Sequence, residues 1–217
     1  WFHWVLMEEY LYAYNPQTTA RFRDWLGTRY GNDTALANAW QRDVRCESAT
    51  IPDALARRAH DGQGFRSPTR QRDVIDYGLF FGDLMAGVIS EVAATVKSAT
   101  GGKKLYGTFY GYLLELAYHP DGIQNSGHLG LRRVLADPNV DFLASPGSYA
   151  RRLPATGHSM SMVPPATLRL AGKPFFHEND LRTHVLFDDA GYGRCDTTFE
   201  SASLQRREFA QALVSGH

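Results

Sequence analysis

Three short β-favouring segments alternate with helical ones along this 217-residue chain, and this alternation constrains the fold more than any other feature. The segments span residues 104–110, 140–145 and 174–178, and each is apolar and rich in aromatic or β-branched residues. Strands that alternate with helices over short connections indicate a parallel sheet with helices outside it. We therefore predict three adjacent parallel strands in sequential order, each followed by a helix.

Residues typical of helix starts and helix ends occur before and after these segments. Asn15 followed by Pro16 predicts a helix start, and Gly31 predicts its end. A second short helix is expected to carry Leu36 and Trp40, and residues 41–66 form a polar, Arg-rich stretch without a clear period. We expect this stretch to be an irregular insertion.

The strongest helix is predicted to start at Ser67 and Pro68 and to end at Gly101 and Gly102. Its apolar residues recur at helical spacing and predict one core-facing side: Val74, Phe81, Leu84, Met85, Val88, Val92 and Val96. Shorter helices are expected near 128–135 and 166–171. A last helix, capped by Thr197 or Thr198, is expected to turn four apolar residues inward: Leu204, Phe209, Leu213 and Val214.

Composition excludes several classes of function. The chain has 23 basic and 23 acidic residues, so it lacks the positive charge excess that is typical of nucleic-acid binding or membrane attachment. Charged residues interrupt its apolar runs before the roughly 20 residues of a membrane span, and no signal segment opens the chain. Cys46 and Cys195 lie far apart, which favours two unpaired thiols over a disulfide and gives no metal-ligand spacing.

Ionisable residues are densest directly after the third segment, in the sequence KPFFHENDLRTH at 173–184. Side chains at the carboxyl end of a parallel strand point into the region where chemistry takes place in alternating βα proteins. Glu178 is therefore the first candidate for a catalytic residue. Polar residues follow every predicted strand, and no glycine-rich phosphate loop is present, which favours a barrel with a sugar-like site over an open nucleotide-binding sheet.

Four segments carry a resemblance to a known family: NPQTTARFRDWLGTRYGNDTALANAW, KLYGTFYGYLLELA, NSGHLGLRRVLADPNVDFLASPGSY and HENDLRTH. Together they resemble the clan A glycoside hydrolases, in particular the β-galactosidase-like proteins of family 42 and its unclassified relatives, over nearly the whole chain. The resemblance implies an α/β fold, a partial (β/α)8 TIM barrel running from about the end of strand 4 through helix 7. Residues 1–217 would then be the C-terminal part of one catalytic domain, with 41–66 inserted within it.

The function that this resemblance implies is retaining hydrolysis of a β-glycoside by a two-carboxylate double displacement, without a cofactor. Glu178 matches the nucleophile of the family. The acid/base glutamate is expected immediately before Trp1, with Glu8 and Glu9 as the nearby alternatives. The parent protein is thus expected to be an enzyme acting on a carbohydrate, and the isolated chain is expected to be inactive.

Several side chains are candidates for binding the sugar or supporting Glu178. Arg182 could supply a positive charge and Tyr149 a hydrogen bond that keep Glu178 ionised. Asp180 points the same way as Glu178 in an extended strand, so it could accept sugar hydroxyls or form a salt bridge with Arg182. Aromatic rings suit the apolar face of a pyranose, and the candidates are Trp1, Trp4, Tyr110 and Tyr112. In the NSGH turn, Asn125 and His128 resemble a family feature near the site, while a helix N-cap at Asn125 or Ser126 is the simpler interpretation.

Two other classes of function remain open. His177, Glu178, Asp180 and His184 could bind a metal ion and make the protein a metal-dependent hydrolase, although neighbouring strand residues such as His177 and Glu178 face opposite sides. The protein could instead be a non-catalytic or degenerate carbohydrate-binding barrel.

Overall fold

The computed structural model describes residues 14–58, 65–117, 122–149, 152–157, 160–187 and 194–216. Over these residues the chain forms nine α-helices, two 3-10 turns and a single sheet of three strands. By contact density the chain divides into two compact units, Trp1–Val88 with Leu116–Arg133 and Ile89–Glu115 with Val134–His217.

The predicted partial (β/α)8 barrel is wrong. A barrel needs eight strands that close on themselves, whereas the described residues supply three strands of three to five residues each, in a chain that is mostly helical. The predicted alternation of three strands with helices is confirmed, but the three strands do not form a closed sheet.

The first unit begins with helix α1, Pro16–Tyr30, and helix α2, Asp33–Trp40. The predicted cap is confirmed, because the Asn15 side chain accepts a hydrogen bond from the backbone N–H of Thr18 (2.8 Å). Gly31 ends α1 at a φ of 75°, a left-handed conformation that glycine adopts without strain. The stretch 41–66 contains a 3-10 turn, Cys46–Ser48, and a short helix α3, Ala54–Arg57.

Helix α4, Arg72–Ala99, is the longest element and supplies aromatic residues to the core of the first unit. Phe22 of α1 is fully buried, with ring centroids 5.3 Å from Tyr77 and 5.2 Å from Phe80. Trp40 of α2 lies 6.4 Å from the same phenylalanine. By length and composition alone, α4 is also apolar enough to cross a membrane, with one third of its most apolar 18-residue window buried.

The predicted inner face of α4 is only partly correct. Val74 and Phe81 are buried, but Val88 and Val92 are 42% and 45% exposed. Further along, the buried positions are Ala86, Ile89 and Ala93, which follow one another at three- and four-residue spacing and therefore lie on one side of the helix. The sequence pattern predicts Val88 and Val92 on the inner side, whereas Ala86, Ile89 and Ala93 occupy it.

The sheet lies in the second unit and consists of β1, Gly107–Phe109, β2, Phe142–Pro146, and β3, Phe175–Glu178. All pairs are parallel and the order is β1-β2-β3, which confirms the predicted adjacency and sequence of the strands. At the start of the sheet, the Asp141 carboxylate pairs with Nζ of Lys97 (2.6 Å) and accepts from the backbone N–H of Tyr106 (2.6 Å).

Helices follow each strand. Helix α5, Leu113–Leu116, follows β1, and it precedes α6, Gly122–Asn125, a 3-10 turn, His128–Gly130, and α7, Leu131–Ala136. Helix α8, Pro165–Leu170, follows β2, and α9, Thr198–Ser215, follows β3.

Helix α9 begins as predicted but faces a different way. Thr197 is its N-cap, and Thr197 and Glu200 form a reciprocal capping box. Leu204 is buried, whereas the other three apolar residues that were expected to face inward, Phe209, Leu213 and Val214, are 70%, 68% and 86% exposed. The buried side carries Ser201, Leu204 and Glu208, so polar contacts as well as apolar ones determine which side faces the unit.

Both cysteines are free thiols, as expected.

Candidate functional site at the end of strand β3

Glu178 is the last residue of β3 and lies beside Pro146 of β2. Side chains alternate along a strand, so Glu178 shares its face with Phe176, while His177 faces the other side. Glu178 is exposed to solvent. The carboxylate is therefore accessible at the carboxyl end of the parallel sheet, which is where the sequence placed it.

The phenol of Tyr112 lies within electrostatic range of this carboxylate. Burial raises the pKa of Tyr112, and the negative charge of Glu178, followed by Tyr149, raises it further. Tyr112 therefore lies within electrostatic range of both Glu178 and Tyr149. Tyr112 belongs to the segment after β1, so a residue that follows one strand of the sheet is electrostatically coupled to the carboxylate that ends another.

Tyr149 makes a different contact from the one predicted. Its hydroxyl donates to Oδ2 of Asp180 at 2.8 Å, whereas we expected it to support Glu178. Burial, followed by the hydrogen bond with Asp180, raises the pKa of Tyr149. The phenol therefore stays protonated at neutral pH and is a stable donor to this carboxylate.

Arg152 engages the same carboxylate oxygen of Asp180. Its Nη1 lies 3.0 Å from Oδ2 of Asp180, and it also donates to the Asp180 backbone carbonyl. Its guanidinium carbon lies 3.4 Å from the ring centroid of Tyr149, so the cation stacks on the ring that donates to the same carboxylate. Further hydrogen bonds to the carbonyls of Gly147 (2.7 Å) and Ser148 (3.3 Å) fix this nearly buried guanidinium in place.

These contacts determine the charge state of Asp180. Burial alone would raise its pKa, but the hydrogen bonds from Arg152 and Tyr149 and the charges of Arg152 and Arg182 outweigh that effect and lower it. The salt bridge expected with Arg182 forms with Arg152 instead. Arg182 contributes its charge at longer range, and its backbone carbonyl accepts from the N–H of Cys195 (2.9 Å).

The aromatic residues predicted to bind the sugar are not placed as that role requires. Tyr110 and Tyr112 are both buried, so neither ring offers an open face to solvent in the described chain, although the Tyr112 phenol lies within electrostatic range of Glu178. Trp1 and Trp4 lie outside the described residues, as do the alternative carboxylates Glu8 and Glu9.

Asn125 and His128 belong to the first unit and are both buried. Asn125 ends helix α6 and exchanges two hydrogen bonds with Arg57, from Nε to Oδ1 (3.2 Å) and from Nδ2 to the Arg57 carbonyl (3.2 Å). The expected N-cap at Asn125 or Ser126 is wrong, because Gly127 precedes the following 3-10 turn.

The alternative metal site is not assembled. His177 pairs through Nε2 with Oε2 of Glu208 (3.4 Å), and His184 contacts Ser201 through Nδ1 (2.9 Å). Within the described ranges, no group of three or more His, Cys, Asp or Glu side chains is arranged to hold a metal ion.

Sequence reasoning missed Arg152, the residue that fixes Asp180. The two residues are 28 positions apart, and Arg152 lies in a loop rich in Gly, Pro and Ser, where no periodicity indicates the direction of a side chain. Only the excess of polar residues after each strand could have suggested that this loop and the end of β3 meet.

Comparison with known proteins adds no family to this description: no protein-family model matches the chain, and searches of curated proteins and of solved structures find no match.

Proposed function

We propose that Glu178 is the nucleophile of a retaining β-glycoside hydrolase and that the site at the end of β3 binds a carbohydrate. The observation that carries this proposal is an accessible carboxylate at the carboxyl end of a parallel strand, with the Tyr112 phenol within electrostatic range of it and a second, fixed carboxylate two residues further on. The resemblance of the sequence to β-galactosidase-like proteins supports a β-galactoside as substrate.

In this reaction the ionised Glu178 attacks the anomeric carbon and forms a covalent glycosyl-enzyme, which water then hydrolyses. A second carboxyl group, about 5 to 5.5 Å from the first, donates a proton to the leaving oxygen and afterwards activates the water.

Asp180 is suited to binding sugar hydroxyls rather than to attacking the sugar. Arg152 and Tyr149 both engage its Oδ2, which reduces the nucleophilicity of that carboxylate and fixes its direction. Its side chain remains 40% exposed, so the carboxylate can still accept a hydrogen bond from a ligand. The two carboxylates therefore have different roles because their neighbours differ.

The test replaces Glu178 in the parent protein, by which we mean the full-length protein that carries this chain. Glu178→Ala should lower turnover of an activated aryl β-glycoside by about 10⁴-fold or more while the protein stays folded, a loss comparable to those measured when other catalytic nucleophiles are removed. Added azide should restore activity and yield a glycosyl azide of inverted configuration, because the anion attacks from the face that the carboxylate vacated. Glu91→Ala, an exposed glutamate of α4, serves as the control and should leave turnover unchanged.

Other outcomes would assign a different function. Unchanged turnover in Glu178→Ala would remove Glu178 from the chemistry. A retained azide product would make it the acid/base instead. Sugar binding without turnover by the parent protein, weakened by Glu178→Ala, would favour the non-catalytic carbohydrate-binding alternative.

A further inference from the structure

Behind the exposed face of β3 lies a buried group of charged side chains that the proposed chemistry does not use. His177 points away from Glu178, and its Nε2 lies 3.4 Å from Oε2 of Glu208 on α9. The Glu208 side chain is only 2% exposed. A carboxylate buried to this degree is costly unless it is paired and hydrogen-bonded.

Arg207 supplies the compensating charge. Its Nε and Nη2 lie 3.1 and 2.9 Å from Oε1 of Glu208, so both oxygens of the carboxylate are engaged. Burial alone would raise the pKa of Glu208, but the hydrogen bonds from His177 and Arg207 outweigh it and lower that pKa. Glu208 therefore remains ionised although it is buried.

The same guanidinium also binds the loop that follows β2. It donates to the backbone carbonyls of Arg152 (3.0 Å), Leu153 (3.4 Å) and Gly157. Arg152 is the residue whose own side chain holds Asp180. The contacts thus form a closed ring that runs from β3 through Glu208 and Arg207 to the loop, and from Arg152 back to the end of β3.

We propose that Arg207 and Glu208 are positioning residues for the site at the end of β3. Neither contacts a ligand; they act through His177 on the strand that carries Glu178 and through the Arg152 backbone on the loop that holds Asp180. This inference rests on the proposed function for its effect on turnover, but its structural part does not.

The test uses Arg207→Lys, with Arg206→Lys as the matched control. Lysine keeps the charge beside Glu208, but one ammonium group cannot reproduce the planar fork that binds a carboxylate and three carbonyls together. Arg206 is the exposed neighbour on the same helix, so its replacement changes the same residue type without touching the ring. Glu208→Gln keeps the size of the side chain but removes its charge, and it tests the contact between Glu208 and His177.

Hydrogen exchange is measured first. Arg207→Lys should increase exchange in peptides covering 152–157 and 175–180, Glu208→Gln should do so in 175–180, and Arg206→Lys should do neither. In the parent protein, Arg207→Lys should also lower kcat of the activated glycoside by about tenfold or more, since small misplacement of catalytic groups is costly. KM should rise as well, because the loop whose Arg152 fixes the sugar-binding Asp180 loses the same support, whereas Glu208→Gln should lower kcat with KM within about twofold.

The two proposals fail separately. A wild-type parent without turnover overturns the hydrolase proposal, and hydrogen exchange then decides the positioning role by itself. Unchanged exchange in Arg207→Lys overturns the positioning role, as does faster exchange with an unchanged kcat in an active parent. If Arg207→Lys unfolds, exchange will be faster in every peptide. Exchange in the 175–180 peptides of Glu208→Gln then decides whether the positioning role holds.

Discussion

At the scale of single residues, the candidate site separates two carboxylates by their surroundings. Glu178 is exposed and raises the pKa of a neighbouring tyrosine, while Asp180 is engaged by a buried arginine and a phenol. A glutamate at the end of an apolar strand could be predicted from sequence because strand ends are marked by a local change in composition. The partner of Asp180 could not, because the direction of Arg152 depends on how a loop packs.

The altered pKa of Asp180 predicts a pH dependence of stability. Its folded pKa lies below its ordinary value, so its contribution is fully present above that ordinary value and is lost as the pH falls through the folded pKa. Asp180→Asn should therefore reduce the free energy of unfolding at pH 7, and the difference from wild type should shrink as the pH falls toward 3. Because the pair is partly exposed, we expect a difference of about 1 kcal/mol or less.

Urea unfolding of both proteins between pH 3 and pH 7 checks this prediction. A difference that is independent of pH would show that the carboxylate charge is not what Arg152 and Tyr149 stabilise.

At the scale of elements, starts and ends of helices were more predictable than their orientation. The caps at Asn15 and Thr197 depend on side chains within three residues of the helix start, so the sequence alone carries the information. The inner faces of α4 and α9 depend on neighbours distant in sequence. Ser201 and Glu208 of α9 face inward because they meet His184 and His177, which follow or belong to β3.

The capping box of α9 gives a prediction at this scale. Thr197→Ala removes the hydroxyl that accepts from the backbone N–H of Glu200 (3.2 Å) and should lower the free energy of unfolding by about 1 kcal/mol. Ser203→Ala in the same helix is the control, since its hydroxyl donates to the Phe199 carbonyl within the helix (2.8 Å) and plays no part in the cap. Chemical denaturation measures both, and an equal effect of the two changes would contradict the assigned cap.

At the scale of the whole molecule, the barrel prediction failed although the three strands were found. Strand adjacency follows from local patterns and short connections, but closure requires strands that the described chain does not contain. The polar residues after each strand and the family resemblance both favoured a barrel, and the structure shows a small parallel sheet in a mostly helical chain instead. The site stays a prediction, and it now depends on the end of β3 and its neighbouring loops rather than on a barrel.

The second unit exposes large apolar side chains, which predicts self-association of the isolated chain. On the sheet, Phe109 and Phe176 are exposed, and on α9 so are Phe199, Phe209, Leu213 and Val214. Apolar surface of this kind favours association in water. Size-exclusion chromatography with light scattering should show an average molar mass that rises with protein concentration. The double change Phe209→Ser and Val214→Ser should reduce that rise. A monomer at all concentrations would contradict the prediction.

The most direct measurement of the central claim is to identify the residue that becomes bonded to the sugar. A 2-deoxy-2-fluoro β-glycoside with an activated leaving group slows breakdown of the glycosyl-enzyme, so the parent protein should accumulate the covalent adduct. Peptide mass spectrometry should then place the label on Glu178, and Glu178→Ala should abolish it. A label on Asp180 or on another residue, or turnover of the substrate without any label, would contradict the assignment of Glu178 as the nucleophile.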